Sequence, residues 1–537
     1  MSKRAQLRAR ERQRQQEAAA ENRAANPEKY STNNVIKGRK TGPQRREEQQ
    51  KKREEQQKKR EENKRRRTDP CEIQKILITS AKNPKDSVNL TGGMVRFMYY
   101  ESLLSNTIKA TYTYSDSGNS ANNAKTGSNC KNTGTALEKL PIVGGEVASI
   151  KIVDNRGAVL EFSPEKNNPL IVNKPTPFDD KTTKSAVQLQ FTSKEFLENE
   201  KLDNRVVKCY EGKISEHIEK LVKENLNTDK SIDLEETGAK NYNFIGNTRK
   251  PFYCINNLST KAVPQGSEKS GNSAGFLFWE TADGYNFKSL DTLLGQNMKK
   301  SIAYNETPDN GNLPAGYDLK ALEYSRSSEN NVQGKMMMGA FSTQIKYFDL
   351  YEPDLTEENL SSEKKEETET PVKGSQSSLT LAGEELPLYN KDYYVPTRLS
   401  WSVLDTGSQS GGTTEEQLDK SKEENFDLKN VYNQSIMRYN QLFSATVTVT
   451  VGGDFSLLAG DAIFIDGPSL KAETTSNDDI DKKDGGVYII ADLAHYISPK
   501  ETYTKMNLIR DSTGRKGNHT NRNAVMASQD NFLSNIK

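Results

Sequence analysis

The side chains that most often carry out chemistry are sparse in this chain and form no familiar pattern. They comprise three histidines, His217, His495 and His519, and four cysteines, Cys71, Cys130, Cys209 and Cys254, spread over 537 residues. The cysteines lack CxxC or zinc-site spacing, so they are expected to be reduced or buried thiols. The sequence contains no GxSxG, GxxxxGK[ST] or HExxH motif, and no carboxylate pair stands out as an acid–base dyad. We therefore predict no catalytic residue, no metal site and no cofactor.

One pattern of residue types occurs twice in the chain. Tyr100–Thr111 (YESLLSNTIKAT) and Tyr439–Thr450 (YNQLFSATVTVT) align at a constant offset of 339 residues. The aromatic and aliphatic residues that begin each copy are Tyr100, Leu103 and Leu104 in the first, and Tyr439, Leu442 and Phe443 in the second. Each group leads into an alternating run with β-branched residues, which predicts a half-buried β-strand.

A glycine followed by an acidic residue opens the next apolar stretch in both copies. These pairs are Gly145–Glu146 and Gly460–Asp461. Coincidence between two Thr/Val-rich strands is the alternative explanation. The same order of lead-in, strand and Gly–acid turn favours two related β-domains, one in each half of the chain. We expect residues 95–152 and 434–466 to share one strand order.

The basic side chains are concentrated at the N-terminus. Residues 1–67 contain 23 Lys/Arg and 10 Asp/Glu, a net charge of +13, whereas the rest contains 53 and 64, a net charge of −11. Three heptads follow one another at Glu47–Arg53, Glu54–Arg60 and Glu61–Arg67. Their acid-first i,i+4 pairs each support a helix by ~0.2–0.5 kcal/mol. No apolar residue occupies an a or d position, so a coiled coil is not expected.

This arm is either a solvated, marginally helical or disordered tail, or a docking segment for an acidic partner or nucleic acid. Because Tyr30 is its only aromatic residue, base stacking is not expected and any nucleic-acid contact would be to phosphate. The candidate docking residues are Lys51, Lys52, Arg53, Lys58, Lys59, Arg60, Arg65, Arg66 and Arg67.

The elements that must position these residues are mainly β-strands. Short strands separated by Gly/Asn turns favour sandwiches or barrels. We predict a mainly β fold in which two β-barrel domains flank an inserted α+β segment. The predicted units are a helical or disordered basic arm (1–69), a first β-domain (70–210), an inserted α+β domain (211–345), a strand with acidic linkers (346–430), a second β-domain (431–512) and a polar tail (513–537).

Polar stretches mark where the chain leaves these domains. Ser115–Thr135, Pro353–Glu385 and Asp405–Glu424 have almost nothing apolar to bury, and the first two are expected to be the most protease-sensitive parts of the body. No run of 18 apolar residues and no signal-peptide core occurs, so we expect no membrane segment and synthesis on the cytosolic side.

Several short motifs resemble one family. They are Met98–Leu103, Gly144–Glu146, the predicted hairpin Phe276–Leu290 and the stretch Tyr439–Arg510. Over roughly residues 70–512 the chain resembles the central baseplate hub proteins of T-even-type contractile-tailed phages, which are related to the hub part of type VI secretion spike proteins. The basic arm and the acidic linkers are not part of that pattern.

The resemblance implies a homotrimer in which each chain carries two tail-tube-like β-domains, so that the ring contains six similar units. It implies contacts with the central spike protein, tail tube or tube-initiator proteins, baseplate wedge proteins and the tape-measure protein. DNA would pass through the channel without sequence-specific binding. The expected location is the virion baseplate, assembled in the host cytoplasm. Another tube-superfamily protein, such as a wedge or tube terminator, and a nucleic-acid-binding protein acting through the arm remain the alternatives.

Overall fold

The computed structural model describes residues 70–116, 136, 140–180, 185–238, 242–265, 274–304, 317–327, 332–349, 354–361, 395–403, 412–421, 428–465 and 485–511. All of them belong to the larger of two compact units, Arg65–Lys537. The predicted arm, its docking residues, most of Ser115–Thr135 and the C-terminal tail lie outside the described residues. No helix in the described ranges is long and apolar enough to cross a membrane.

The first β-domain is built from alternating sequences that bury every second side chain. Its strands are β1 Glu72–Thr79, β2 Ser87–Asn89, β3 Met94–Ser102, β4 Lys109–Asp116, β5 Val147–Val153, β6 Val159–Phe162, β7 Leu170–Asp180 and β8 Ser185–Ser193. They pair antiparallel in the order β2-β1-β5-β7-β8-β4-β3, with β6 on β5. Phe97, Tyr99 and Tyr112 fill the core from one face of β3 and β4.

An α+β segment follows, in agreement with the prediction. Its elements are α1 Lys194–Glu198, β9 Cys209–Tyr210, α2 Ile214–Lys220, β10 Ile232–Leu234, β11 Phe244–Ile245, α3 Pro251–Ser259, β12 Phe276–Thr281, β13 Gly284–Ser289 and α4 Leu290–Gly295. The predicted hairpin β12–β13 forms, and β10 adds to it in parallel. The core of this segment packs α2 and α3 against the hairpin.

The remaining elements combine a second β-domain with an excursion. They are β14 Lys300–Ala303, β15 Leu319–Ser327, α5 Val332–Met338, β16 Ser342–Phe348, β17 Leu355–Ser361, β18 Arg398–Val403, α6 Thr414–Ser421, α7 Leu428–Leu442, β19 Ala445–Gly452, β20 Ala462–Ile465, β21 Gly486–Ile497 and β22 Thr502–Arg510. The excursion α5–α7 contains its own three-stranded sheet, β17-β16-β18.

Six strands of the second β-domain close into a barrel in the ring order β14-β15-β19-β22-β21-β20. The predicted mainly β class with an α+β insert is therefore confirmed. The strands of the first β-domain form an open order among the described residues, since no described pair joins β1 to β3. Strand β21 also pairs with β3, which makes one continuous sheet of the two domains.

The structure departs from several predicted boundaries. Strands β14 and β15 fall inside the predicted insert, 211–345, yet they complete the barrel. The predicted linker Pro353–Glu385 begins with strand β17, which pairs with β16. Helix α6 lies within Asp405–Glu424. The placement of β14 and β15 comes from pairing with β20 and β19, which are distant in sequence and which local composition does not report.

The two β-domains share one arrangement of strands. In chain order, the six main strands are β1, β3, β4, β5, β7 and β8 in the first domain and β14, β15, β19, β20, β21 and β22 in the second. Starting from the second strand, both sheets have the neighbour order second, third, sixth, fifth, fourth, first. Only the first strand differs in direction, because β1 is antiparallel to β5 while β14 is parallel to β20.

Candidate functional site

The turn at Gly145 and Glu146 holds the start of β5 against β7. Gly145 has φ of +90°, and its N–H donates to the Val172 carbonyl at 2.7 Å. The Val172 N–H donates back to the Glu146 carbonyl at 2.9 Å. The buried Glu146 carboxylate accepts from the N–H groups of Val143 and Gly144, both at 2.9 Å. The turn is thus closed by its own acidic side chain.

The turn at Gly460 and Asp461 makes the same connections in the second β-domain. Gly460 has φ of +95°, and its N–H donates to the Ile490 carbonyl at 2.9 Å. The Ile490 N–H donates back to the Asp461 carbonyl, also at 2.9 Å. The Asp461 carboxylate accepts from the Leu458 N–H, three residues earlier, at 2.8 Å. Lys299 donates to it at 2.7 Å, although burial raises the Asp461 pKa. Positive φ at both glycines explains the residue type, since L side chains rarely adopt it.

These turns and the strand pairs define which residues of the two domains are equivalent. In the first domain, Phe191 lies opposite Val172 on one neighbouring strand and Ala110 on the other. In the second domain, Leu508 lies opposite Ile490 and Val447 in the same way. The strand offset from β4 to β19 is therefore 337 residues rather than the predicted 339. A slip of two residues preserves the faces of both strands, because side chains alternate with period 2. Sequence alternation alone could not distinguish the two alignments.

The lead-in residues do not correspond in structure, so that part of the predicted repeat is wrong. Tyr100 lies in strand β3, whereas Tyr439 and Leu442 lie in helix α7. Residues 434–442 are therefore helical, not part of a matching strand order. The physical reason is that the short β3–β4 connection is replaced by the whole excursion α5–α7 between β15 and β19.

The lead-in residues nevertheless meet in space. Leu103 and Leu442 are buried in one apolar cluster, with Tyr439 and Phe443 packed against it, whereas Leu104 is 64% exposed. The Tyr439 hydroxyl also accepts from the Phe276 N–H at 3.0 Å. Leu103 from the first β-domain and Leu442 from α7 therefore pack in one cluster with the insert and the second β-domain, rather than occupying equivalent positions in the two domains.

The junction between the two β-domains is centred on β3 and β21. The antiparallel pairs run from Ser102 opposite Asp492 to Phe97 opposite Ile497. Beside this ladder, Arg156 Nη1 lies 2.7 Å from the Asp454 carboxylate, which also binds Lys300. Although burial opposes ionisation, these two cations lower the Asp454 pKa. The Phe455 N–H donates to Asp154 at 2.9 Å.

Glu101 connects three parts of the molecule at this junction. Its Oε1 accepts from the Tyr99 hydroxyl at 2.7 Å and from the Ala282 N–H at 2.8 Å. Its Oε2 accepts from the Ala459 N–H at 2.8 Å. Ala282 belongs to the β12–β13 turn and Ala459 precedes the second Gly–acid turn. Burial raises the pKa of Glu101 to about 7, although these three donors favour the ionised form.

His495 packs beside Glu101 without access to solvent. Its ring stacks on Tyr99, with centroids 5.9 Å apart, and meets Phe455 edge-on at 5.0 Å. Its Nδ1 lies 2.9 Å from the Thr504 hydroxyl. Burial lowers the His495 pKa to about 4, so the imidazole is neutral near pH 7. This side chain therefore contributes packing at the junction.

A second buried group of charges joins the insert to the first β-domain. Lys230 Nζ lies 2.7 Å from Glu195 and 2.5 Å from Glu280, and all three side chains are almost fully buried. Glu280 also accepts from the Ile108 N–H at 3.0 Å. Burial raises the Glu280 pKa against the opposing effect of Lys230. Sequence reasoning missed this group and Glu101, because the partners are far apart in the chain.

An open cleft of about 620 Å³ lies between the β12–β13 hairpin, α4 and the second Gly–acid turn. Trp279 and Asp461 line it, and the Trp279 Nε1 donates to the Ala459 carbonyl at 3.0 Å. Across the described ranges, no group of three or more His, Cys, Asp or Glu side chains is placed to hold a metal ion. The buried carboxylates around this site accept from backbone N–H groups, the Tyr99 hydroxyl, lysine and arginine, an arrangement suited to holding segments together.

No protein-family model and no curated protein sequence matches the chain. Solved structures do resemble it. The 43 kDa tail protein of prophage MuSo2 from Shewanella oneidensis is 8% identical, with 81% of this chain and 98% of that chain covered and a TM-score of 0.42. A tail protein from Neisseria meningitidis MC58 is 10% identical, with 81% and 96% covered and a TM-score of 0.41.

A third similar structure is the E. coli c3393 protein, a type VI secretion component described as structurally similar to T4 bacteriophage tail proteins. It is 9% identical, with 83% of this chain and 79% of that chain covered and a TM-score of 0.36. These three structures are thus two tail proteins, one of them from a prophage, and a type VI secretion component.

Proposed function

We propose that this protein is the trimeric central baseplate hub of a contractile phage tail, joining a six-fold tail tube to a three-fold spike. The observation that carries the proposal is the presence of two β-domains with one strand order, joined edge to edge within a single chain. Three such chains supply six similar domains. A ring of this kind can match six-fold symmetry on one side and three-fold symmetry on the other.

The proposed role is mechanical rather than enzymatic. Buried contacts at Glu101 and Asp454, together with the continuous β3–β21 ladder, hold the two β-domains at one mutual orientation. A symmetry adaptor needs such rigidity, since its two halves must present fixed surfaces to different neighbours. The proposed neighbours are the central spike, tail tube or tube-initiator proteins, wedge proteins and the tape-measure protein, in a virion assembled in the host cytoplasm.

Size-exclusion chromatography with light scattering tests the proposal. A trimer of the 60.2 kDa chain is expected. A hexamer would instead indicate a tube or tube-terminator protein of the same superfamily. A monomer that binds DNA, and loses that binding on deletion of residues 1–67, would indicate a nucleic-acid-binding protein.

The basic arm is proposed to dock on acidic surfaces of neighbouring virion proteins. Three arms of +13 each would repel one another within a Debye length of ~8 Å, which disfavours a bare bundle. The Glu–Glu pairs in each heptad weaken phosphate binding and suit a protein partner. Deleting residues 1–67 should leave the trimer intact and impair baseplate assembly. Loss of the trimer on deletion would make the arm an oligomerisation element instead.

A further inference from the structure

We propose that Lys230 and Glu280 condense into an isopeptide bond within the chain, with Glu195 carrying the proton that the reaction moves. The product is an amide between Lys230 Nζ and Glu280 Cδ, and one water molecule is released. These three side chains form the buried group of charges that joins the insert to the first β-domain. The bond forms inside one chain and does not depend on the proposed hub assembly.

The three reacting groups are in contact and shielded from water. Lys230 Nζ lies 2.5 Å from Glu280 Oε1 and 2.7 Å from Glu195 Oε2. The side chains of Lys230 and Glu195 are 2% exposed, and that of Glu280 is 0% exposed. Fixed proximity replaces a bimolecular encounter and so favours amide formation. Exclusion of water removes the nucleophile that would compete with the amine.

The charge balance of the cluster favours a neutral carboxyl at Glu280. One ammonium faces two carboxylates, so full ionisation would leave an uncompensated negative charge in a buried site, which is costly. Burial raises the Glu280 pKa and so favours its protonated form. An amine attacks the carbonyl carbon of a neutral carboxylic acid more readily than that of a carboxylate. The cluster therefore holds its electrophile in the reactive state.

The Ile108 N–H identifies Glu280 as the carboxyl that is attacked. This N–H donates to Glu280 Oε2 at 3.0 Å, whereas Lys230 contacts Oε1. When Nζ attacks Cδ, Oε2 becomes the oxyanion of the tetrahedral intermediate, and the fixed backbone donor stabilises it. Oε1, on the side of the amine, is then the oxygen that leaves.

Glu195 is placed to accept the proton that frees the nucleophile. Although burial disfavours the ammonium, the two carboxylates raise the Lys230 pKa, so the amine must first give up a proton. Glu195 accepts that proton, and the electron pair left on Nζ attacks Glu280 Cδ. The N–C bond forms and the C–Oε1 bond breaks. Oε1 already carries the acid proton, takes a second proton from Nζ and leaves as water, while the first proton stays on Glu195.

The bond closes a covalent bridge across the three-stranded sheet of the insert. Lys230 precedes β10, and Glu280 lies in β12. These two strands lie on either side of β13, in the order β10-β13-β12. An amide between them prevents the outer strands from separating, which suits a part of the molecule that transmits force.

Mass spectrometry of the denatured wild-type chain tests the proposal. The intact chain should be lighter than its sequence by the mass of one water molecule. After trypsin digestion, residues 224–240 should be linked to residues 270–288, because amidated Lys230 resists cleavage. Recovery of these peptides unlinked, with cleavage after Lys230, would overturn the proposal. A link from Lys230 to residues 195–201 would overturn the choice of Glu280 as electrophile.

Two variants assign the roles, and the wild-type digest decides the proposal even if a variant does not fold. Lys230→Met lacks the nucleophile and should keep the full mass of its sequence; loss of water from this variant would place the reaction elsewhere. Glu195→Gln cannot accept the proton, so its linked fraction should be smaller than that of wild type at equal times after refolding. Equal linked fractions in the two folded proteins would refute the role of Glu195.

A second lysine–carboxylate pair in the same chain is a matched control. Lys300 Nζ lies 2.5 Å from Asp454, but the Lys300 side chain is 19% exposed. Lys300 and Arg156 lower the Asp454 pKa against the effect of burial, so this carboxylate stays ionised. The pair should remain unlinked in the same digest. An amide between Lys300 and Asp454 would show that contact alone is sufficient and would refute the requirement for a neutral, water-shielded carboxyl.

Discussion

Replacing Glu101 with glutamine should remove a specific part of the pH dependence of folding. The carboxyl is buried, accepts three hydrogen bonds and has its pKa raised to about 7 by burial. In the unfolded chain a glutamate titrates near ~4.3. Between these two values the folded protein holds a proton that the unfolded chain has lost. Stability therefore falls as pH rises through this window, and the contribution is largest below it.

The magnitude follows from the size of that window. From pH 5 to the folded-state pKa the window spans about two pKa units, each worth 1.36 kcal/mol. Between pH 5 and pH 8 the free energy of unfolding of wild type should therefore fall by roughly 2–3 kcal/mol, a decrease that Glu101→Gln lacks. At pH 5 the variant should be less stable than wild type by ~1–3 kcal/mol. Its NH2 group replaces one carboxyl oxygen and faces a backbone N–H that now donates to that oxygen, so this N–H loses its acceptor. The difference between the two proteins should therefore shrink or reverse by pH 8.

Urea unfolding followed by tryptophan fluorescence measures this difference, since Trp279 lies buried beside Ala459. Protein concentration must be held fixed, because oligomerisation also stabilises the fold. The lowered pKa of His495, about 4, makes stability rise with pH over an overlapping range. This effect is present in both proteins and cancels in the comparison. Parallel pH profiles for wild type and variant would refute the role assigned to Glu101.

Four further variants test the two Gly–acid turns and the contacts around the junction. Gly460→Ala should lower the free energy of unfolding by more than ~2 kcal/mol, and Gly145→Ala by only ~1 kcal/mol. The reason is that a Cβ at position 460 would lie 2.7 Å from the Trp279 ring, whereas nothing lies within 4 Å of a Cβ at position 145. Equal losses of unfolding free energy in urea would contradict this reasoning. Trp279→Phe should cost ~1–2 kcal/mol by leaving the Ala459 carbonyl unpaired, with no loss expected if the Nε1 contact is absent in solution. Asp454→Asn should lower the free energy of unfolding by ~3 kcal/mol above pH 5. Because the folded protein lowers the Asp454 pKa, this difference from wild type should vanish as the pH falls through that pKa. A difference that does not change with pH would refute the ion pairs.

The local features of the β-domains were predictable from the sequence, because they depend on residues close together in the chain. Alternation predicted strands that became β4 and β19, and the predicted hairpin Phe276–Leu290 became β12–β13. The two Gly–acid pairs were also visible, since a glycine at positive φ beside a capping carboxylate is a short-range arrangement. Each of these signals lies within a few residues.

Sequence by itself determined the mainly β composition, the charge division between arm and body, and the occurrence of one pattern in both halves. Only the tertiary structure decided the two-residue register of the repeat, the recruitment of β14 and β15 into the barrel, and the helical state of Tyr439. The physical reason is that period-2 patterning specifies which face of a strand is buried but not which strand lies beside it. Glu101 shows the same limit, since its raised pKa arises from enclosure by segments 181 and 358 residues away.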